Sequence, residues 1–162
     1  GVHCIMITIG IDPGLGGAIA FLKNGKYHAL EDMPIVLKGS GVVKNEVNPT
    51  ALKSFLREHV PVEEYPFVAL ERVNAMPGQG VSSVFSLGDS FGTARACVAA
   101  CHYEMLYVAP RTWKKHFNLT SDKEMCRAAA IKMFPEAELH LKKHVDRAEA
   151  LLMARWMFEQ KY

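Results

Sequence analysis

The sequence predicts an α/β fold, a mixed five-stranded sheet flanked by helices, and three observations predict it. Short runs rich in β-branched residues at 5–12, 18–22 and 27–33 are separated by tight turns, the pattern of a hairpin meander. Two further apolar runs, 67–71 and 103–108, alternate with segments of helical periodicity, the pattern of parallel strands joined by crossovers. The chain has 162 residues, 49% hydrophobic and 22% charged, which suits one domain with a sizeable core and excludes a disordered chain.

Residues 5–12 alternate and read as a buried strand, and Pro13, Gly14, Gly16 and Gly17 then force a turn. Asn24-Gly25 is a two-residue hairpin signal between strands 18–22 and 27–33. Residues 34–48, with Pro34, Gly39, Ser40 and Gly41, read as a loop. Asn48 as N-cap with Pro49 behind it opens a helix to about His59. Strand 67–71 ends on Glu71 and leads into the Met76–Gly80 loop. Residues 81–101 carry apolar or small groups along one helix face, although Gly88 and Gly92 each weaken such a helix by about 1 kcal/mol relative to Ala. That cost marks a place where another backbone comes close. Ser121-Asp122-Lys123-Glu124 reads as a capping box for a helix that stops before Pro135, and residues 146–159 form the last helix. Gly1 to Ile5 are expected to be a remnant ahead of a domain spanning 6–162.

Composition narrows the function classes. No apolar run reaches the ~18 residues of a membrane span, and no signal-peptide pattern opens the chain. The net charge of +2 is unevenly spread: residues 1–110 carry −2 and residues 111–162 carry +4. The basic clusters at Arg111–Lys115 and Lys142–Arg147 are either an electrostatic footprint for nucleic acid or a solvated helical face. Cys4, Cys97, Cys101 and Cys126 form no C-x-x-C pair and read as buried thiols of a reducing, cytoplasmic compartment. His140 and His144 lack the third ligand that a zinc site needs.

The chemistry lies in four acids. A crossover that lays strand 67–71 parallel to strand 5–12 brings Asp12 and Glu71, their last residues, to one sheet edge. Asp146 and Glu149 sit three apart at the start of the last helix. Ionised carboxylates share an apolar site only with a counter-charge, and a divalent cation with hard oxygen ligands supplies one. Two such ions form the clamp used in phosphodiester cleavage. Each acid also has a structural explanation: Asp12 as a turn cap, Glu71 paired with Arg72 or Arg111, Asp146 and Glu149 as an N-cap and N3 pair.

Three blocks carry a resemblance: Ile9-Gly10-Ile11-Asp12-Pro13-Gly14, Glu71 after its apolar strand, and Val145-Asp146-Arg147-Ala148-Glu149-Ala150-Leu151. In that order they resemble the signature blocks of the RuvC family of Holliday-junction resolvases. Leu87-Gly88 with Gly92-Thr93-Ala94-Arg95 is similar to the family's central helix, and Tyr107–Pro110 through Trp113-Lys114-Lys115 to Lys123 is similar to its basic segment. The resemblance runs from about Met6 over nearly the whole chain. It implies an RNase H-like fold, a homodimer built through helix 81–101, Mg²⁺ or Mn²⁺ dependence with two ions per site, and paired symmetrical nicks in four-way and other branched DNA.

Carried over by position, the resemblance makes Asp12, Glu71, Asp146 and Glu149 the metal-binding catalytic acids, with Asp12 bridging, Glu71 on one side and the Asp146/Glu149 pair on the other. Lys114, Lys115 and Lys123 hold phosphates, and Arg72, Asn74, Arg111 and Lys143 complete the expected DNA contacts. His144 either assists as an auxiliary group near the acids or is a solvated loop histidine. Trp113 either stacks on a base or anchors the core. Glu149 stands where the bacterial enzymes have Asp, and Asn74 where they tend to have an aromatic. The compact form and the Gly-rich loop look more like the bacteriophage members, which places the protein in a bacterial host cell. Two rivals are a non-catalytic branched-DNA binding module of the same fold and an actin-like phosphotransferase, the latter needing a second lobe. No helicase partner is legible.

Overall fold

The computed structural model describes residues 5–36 and 45–161. The expected remnant lies outside them except for Ile5, which packs against the core, and Cys4 lies outside them as well. Strands β1 (Ile7–Asp12), β2 (Ala18–Lys23) and β3 (Lys26–Asp32) form the antiparallel meander. Asn24 and Gly25, at φ 50° and 77°, make the left-handed turn that lets β2 and β3 twist together.

The 34–48 segment is not all loop: β4 (Ile35–Val36) pairs with β5 (Glu46–Val47) in a two-stranded ribbon, and 37–44 lie outside the described residues. Helix α1 (Pro49–Glu58) starts at Asn48, whose side chain accepts the Ala51 N–H at 3.1 Å. β6 (Phe67–Glu71), α2 (Val81–Ala100) and β7 (Glu104–Val108) follow.

The main sheet has the order β3-β2-β1-β6-β7, with β1, β6 and β7 parallel. It has five strands, as expected. Beyond it come α3 (Pro110–His116), which the sequence reading did not separate as a helix, then α4 (Lys123–Met133), a 3₁₀ turn over Lys142–His144, and α5 (Val145–Lys161). Helix α4 is capped by Asp122, whose Oδ1 accepts the Glu124 N–H at 2.9 Å, rather than by the Ser121–Glu124 box. Asp122 is the shorter route to the free N–H groups. Its own N–H is taken by the Thr120 hydroxyl, leaving Ser121 outside the cap. No described helix is long and apolar enough to cross a membrane.

Strand alternation divides the residues between two cores. Ile7, Ile9 and Ile11 of β1 join Val68 and Leu70 of β6 under α1 and α2. The intervening positions look the other way, where Ala69 of β6 meets Leu151, Leu152 and Trp113 from the α3–α5 layer. Asp12 and Glu71 have the parity of this second face. The register pairs Ile11 with Leu70, so Asp12 and Glu71 are the next residues on neighbouring strands.

Gly10 allows α5 to lie directly on β1. A Cβ there would overlap the Ala150 carbonyl oxygen and come within 2.6 Å of the Ala154 nitrogen, both backbone atoms. Other contacts fasten the same helix at both ends. Arg147 donates two bonds to the Asp32 carboxylate, at 2.7 and 2.9 Å. Arg155 donates to the Gly25 carbonyl at 3.0 Å, and the Phe158 ring covers Gly25.

Gly10→Ala forces α5 off the sheet. It is expected to lower unfolding free energy by about 3 kcal/mol. Urea denaturation followed by circular dichroism measures this, and an unchanged midpoint would contradict the close packing.

Candidate metal centre

Asp12, Glu71 and Glu149 converge from β1, β6 and α5. One carboxylate oxygen from each lies within 4.8 Å of the others. Glu149 is buried; Asp12 and Glu71 are half-buried. Asp146 stands outside this trio but within hydrogen-bonding reach of Asp12. The structure therefore brings Glu71 and Glu149, from a strand and a helix, to the same place as Asp12. The turn after β1 shapes the entrance: Gly14 N–H approaches Asp12 Oδ1 at 3.4 Å, and a Cβ on Gly16 would be 3.7 Å from Asp146 Oδ2.

Burial and mutual repulsion act on these carboxyls in the same direction. Desolvation first, then the charges of Glu71 and Asp146, raise the Asp12 carboxyl well above its ordinary value. Burial pushes Glu71 up to about 7, against the hydrogen bond from Trp113 that pulls it down. Glu149 is raised by burial and relieved in part by Lys114, whose Nζ lies 4.0 Å from Glu149 Oε1. Three closely spaced oxygen donors with this little compensating charge form a set suited to a hard divalent cation.

Several expected partners are corrected. Glu71 pairs with neither Arg72 nor Arg111: its Oε2 accepts the Trp113 indole N–H at 2.9 Å, while the Arg72 guanidinium lies over the Tyr107 ring at 5.2 Å. Trp113 is fully buried, so base stacking by it is excluded and the core role stands. His144 is not a solvated loop residue: it is 4% exposed, and its Nδ1 accepts the Leu141 N–H at 3.2 Å. Asp146 is the second residue of α5, behind the 3₁₀ turn, rather than its N-cap. No sequence signal links Trp113 to Glu71, 42 residues away on another element.

The basic residues surround the acids unevenly. Arg111, Lys114 and Lys115 line a cavity of about 510 Å³ together with Asn118, Thr120 and Ser121. Lys123 begins α4, and its charge acts on Glu149. Lys143 lies with His144, Asp146 and Arg147 around a smaller depression of about 280 Å³. Arg72 and Asn74 are exposed after β6. Cys97, Cys101 and Cys126 are buried free thiols, as expected of them.

No family model matches the chain, and no curated protein matches it in sequence. Solved structures do match its fold. Thermus thermophilus RuvC in complex with a Holliday junction substrate superimposes with a TM-score of 0.59 at 14% identity, covering 96% of this chain and 95% of that one. A second T. thermophilus RuvC structure gives 0.58 at 15% identity and covers 96% of each. The chain thus has the RNase H-like fold of RuvC, and at this identity the likeness is one of fold.

A carboxyl with a raised pKa binds its proton more tightly folded than unfolded, so its stabilising contribution is present below the unfolded pKa and lost as pH rises through the folded one. For Glu71 that window runs from 4.5 to about 7 and is worth about 3 kcal/mol. The melting temperature in EDTA is expected to fall between about pH 5 and pH 8, with Glu71→Gln flattening the fall and Mn²⁺ at pH 8 opposing it. Differential scanning calorimetry checks this, and a flat metal-free profile would contradict the burial of charge.

Proposed function

We propose that this chain is a metal-dependent, structure-selective endodeoxyribonuclease that resolves Holliday junctions by paired nicks and also cuts other branched DNA. The observation that carries the reading is the trio Asp12, Glu71 and Glu149, clustered and largely withdrawn from solvent beside a basic helix. The fold likeness to RuvC, one of whose structures contains a Holliday junction substrate, supports the choice of DNA.

Asp12, Glu71 and Glu149 would hold Mg²⁺ or Mn²⁺, with Asp146 beside Asp12 completing the acids. Bound there, divalent cations would supply Lewis-acid chemistry that makes water a better nucleophile and offsets charge on the leaving oxygen of a phosphodiester. The chain's own groups do the positioning. The acids are carried on two adjacent strand ends and one packed helix, so their spacing is set before substrate arrives. Arg111, Lys115, Lys123 and Lys143 take phosphates, which orients the backbone without reading bases. Lys114, on the rim and 4.0 Å from Glu149, connects the phosphate track to the acids. His144, with Nδ1 occupied by Leu141, leaves only Nε2 for an auxiliary part.

The reading includes a homodimer, since paired nicks need two sites. Among the described residues no other backbone approaches Gly88 or Gly92: a Cβ at either meets nothing within 4 Å. Val81 and Phe85 on the same helix are 88% and 75% exposed. A second copy packed on α2 would use both features.

A synthetic immobile four-way junction, incubated with and without Mg²⁺, tests the activity. Paired nicks requiring metal, reduced at least about 100-fold in Asp12→Asn and Asp146→Asn, are the expected result. Tight binding with no cleavage in any divalent metal would leave a binding module instead. Arg111→Ala and Lys115→Ala are each expected to weaken junction binding and to reduce the slope of log K against log salt by about 1. A slope unchanged in both would remove them from the phosphate track.

A further inference from the structure

Helix α3 touches the acid cluster twice, through consecutive residues. Trp113 donates its indole N–H to Glu71 Oε2 at 2.9 Å, and Lys114 brings Nζ to 4.0 Å from Glu149 Oε1. The two contacts differ in kind. Lys114 is partly exposed, whereas Trp113 is fully buried in the core cluster that holds Val108, Cys126, Ala130 and Leu151, where close packing restrains its ring. Indole N–H is a donor only, and a carboxylate offers about four acceptor positions. One bond from Trp113 therefore fixes the Glu71 head group and leaves acceptor capacity for the cluster.

Glu71 itself has three side-chain torsions and no other hydrogen-bond donor among the described residues. Freed from Trp113, the carboxylate would be driven outward by burial and by the charge of Glu149.

We propose that Trp113 is a positioning residue. Its indole N–H holds the Glu71 carboxylate against Asp12 and Glu149, so the site is assembled before a divalent cation enters. This rests on the metal-centre reading above and adds to it a residue that touches neither metal nor DNA. Donors in such outer positions typically change metal affinity by about 10- to 100-fold.

The test uses Mn²⁺ alone, without DNA. In a Trp156→Phe background, Trp113 is the only tryptophan of the chain, and Mn²⁺ bound at Glu71 quenches its fluorescence saturably. Calorimetric Mn²⁺ titration then compares wild type, Trp113→Phe and Phe134→Leu. Trp113→Phe keeps an aromatic ring in the core and removes the N–H. Phe134→Leu loosens the same core without a donor to the acids, and controls for packing.

The expected result is Mn²⁺ affinity at least about tenfold weaker in Trp113→Phe and nearly unchanged in Phe134→Leu, with both variants folded by circular dichroism. Equal affinity in wild type and Trp113→Phe would overturn the positioning role and leave the metal centre standing. Equal losses in both variants would assign the effect to packing and overturn the role of the N–H. Absence of Mn²⁺ binding and quenching in the wild-type and Trp156→Phe proteins would overturn the metal reading itself, and this assignment with it.

Discussion

The close contact between the α5 backbone and β1 at Gly10 is the constraint on which the rest of the arrangement depends. Side chains on both surfaces normally separate a helix from the sheet it covers. Here the missing Cβ lets Ala150 and Ala154 sit almost on the strand. Glu149, one residue before Ala150, is thereby lowered to the level of Asp12 and Glu71. Any residue larger than glycine at position 10 separates the acids as surely as it disturbs the core. Packing and chemistry share a single steric requirement.

Much of this was legible in the residues, and the parts that were not have physical reasons. The strands show because alternation and turn residues are local signals: Ile7, Ile9 and Ile11 declare one face, and Asn24-Gly25 declares the hairpin. The acids show because each closes an apolar run or opens a helix. The meeting of Asp12 and Glu71 follows from the parallel crossover, but the spacing of Asp146 and Glu149 does not say which of them α5 turns toward that pair. Trp113 looked like core or a stacking platform, and its polar edge has a partner that only tertiary packing identifies. The cap at Asp122 and the ribbon β4–β5 were missed because two neighbouring residues fit one cap, and because two-residue strands carry no periodicity.

Helix α3 divides the electrostatics. Its inner side presents an indole N–H and one ammonium to buried carboxylates; its outer side presents Arg111 and Lys115 to solvent. Seven residues with Pro110 at the start are too short to be stable alone. The helix is held by Trp113 in the core, and so the basic rim is placed relative to the acids by the residue that also bonds Glu71. The positive potential of the rim and the negative potential of the carboxylates meet within one helical turn.

The hairpin of β2 and β3 has a mechanical consequence. Its tip, at Gly25, lies beneath Phe158 and accepts from Arg155; its far end, at Asp32, is gripped by Arg147. Helix α5 is thus a beam pinned near both ends to the same two strands. Such a beam resists tilting, so crowded charge on it has no route to relax by swinging away. Relief comes through a proton or a counter-ion arriving, and the scaffold stays where it is. A site built this way behaves as a fixed anvil: an arriving counter-charge meets carboxylates that are already in place.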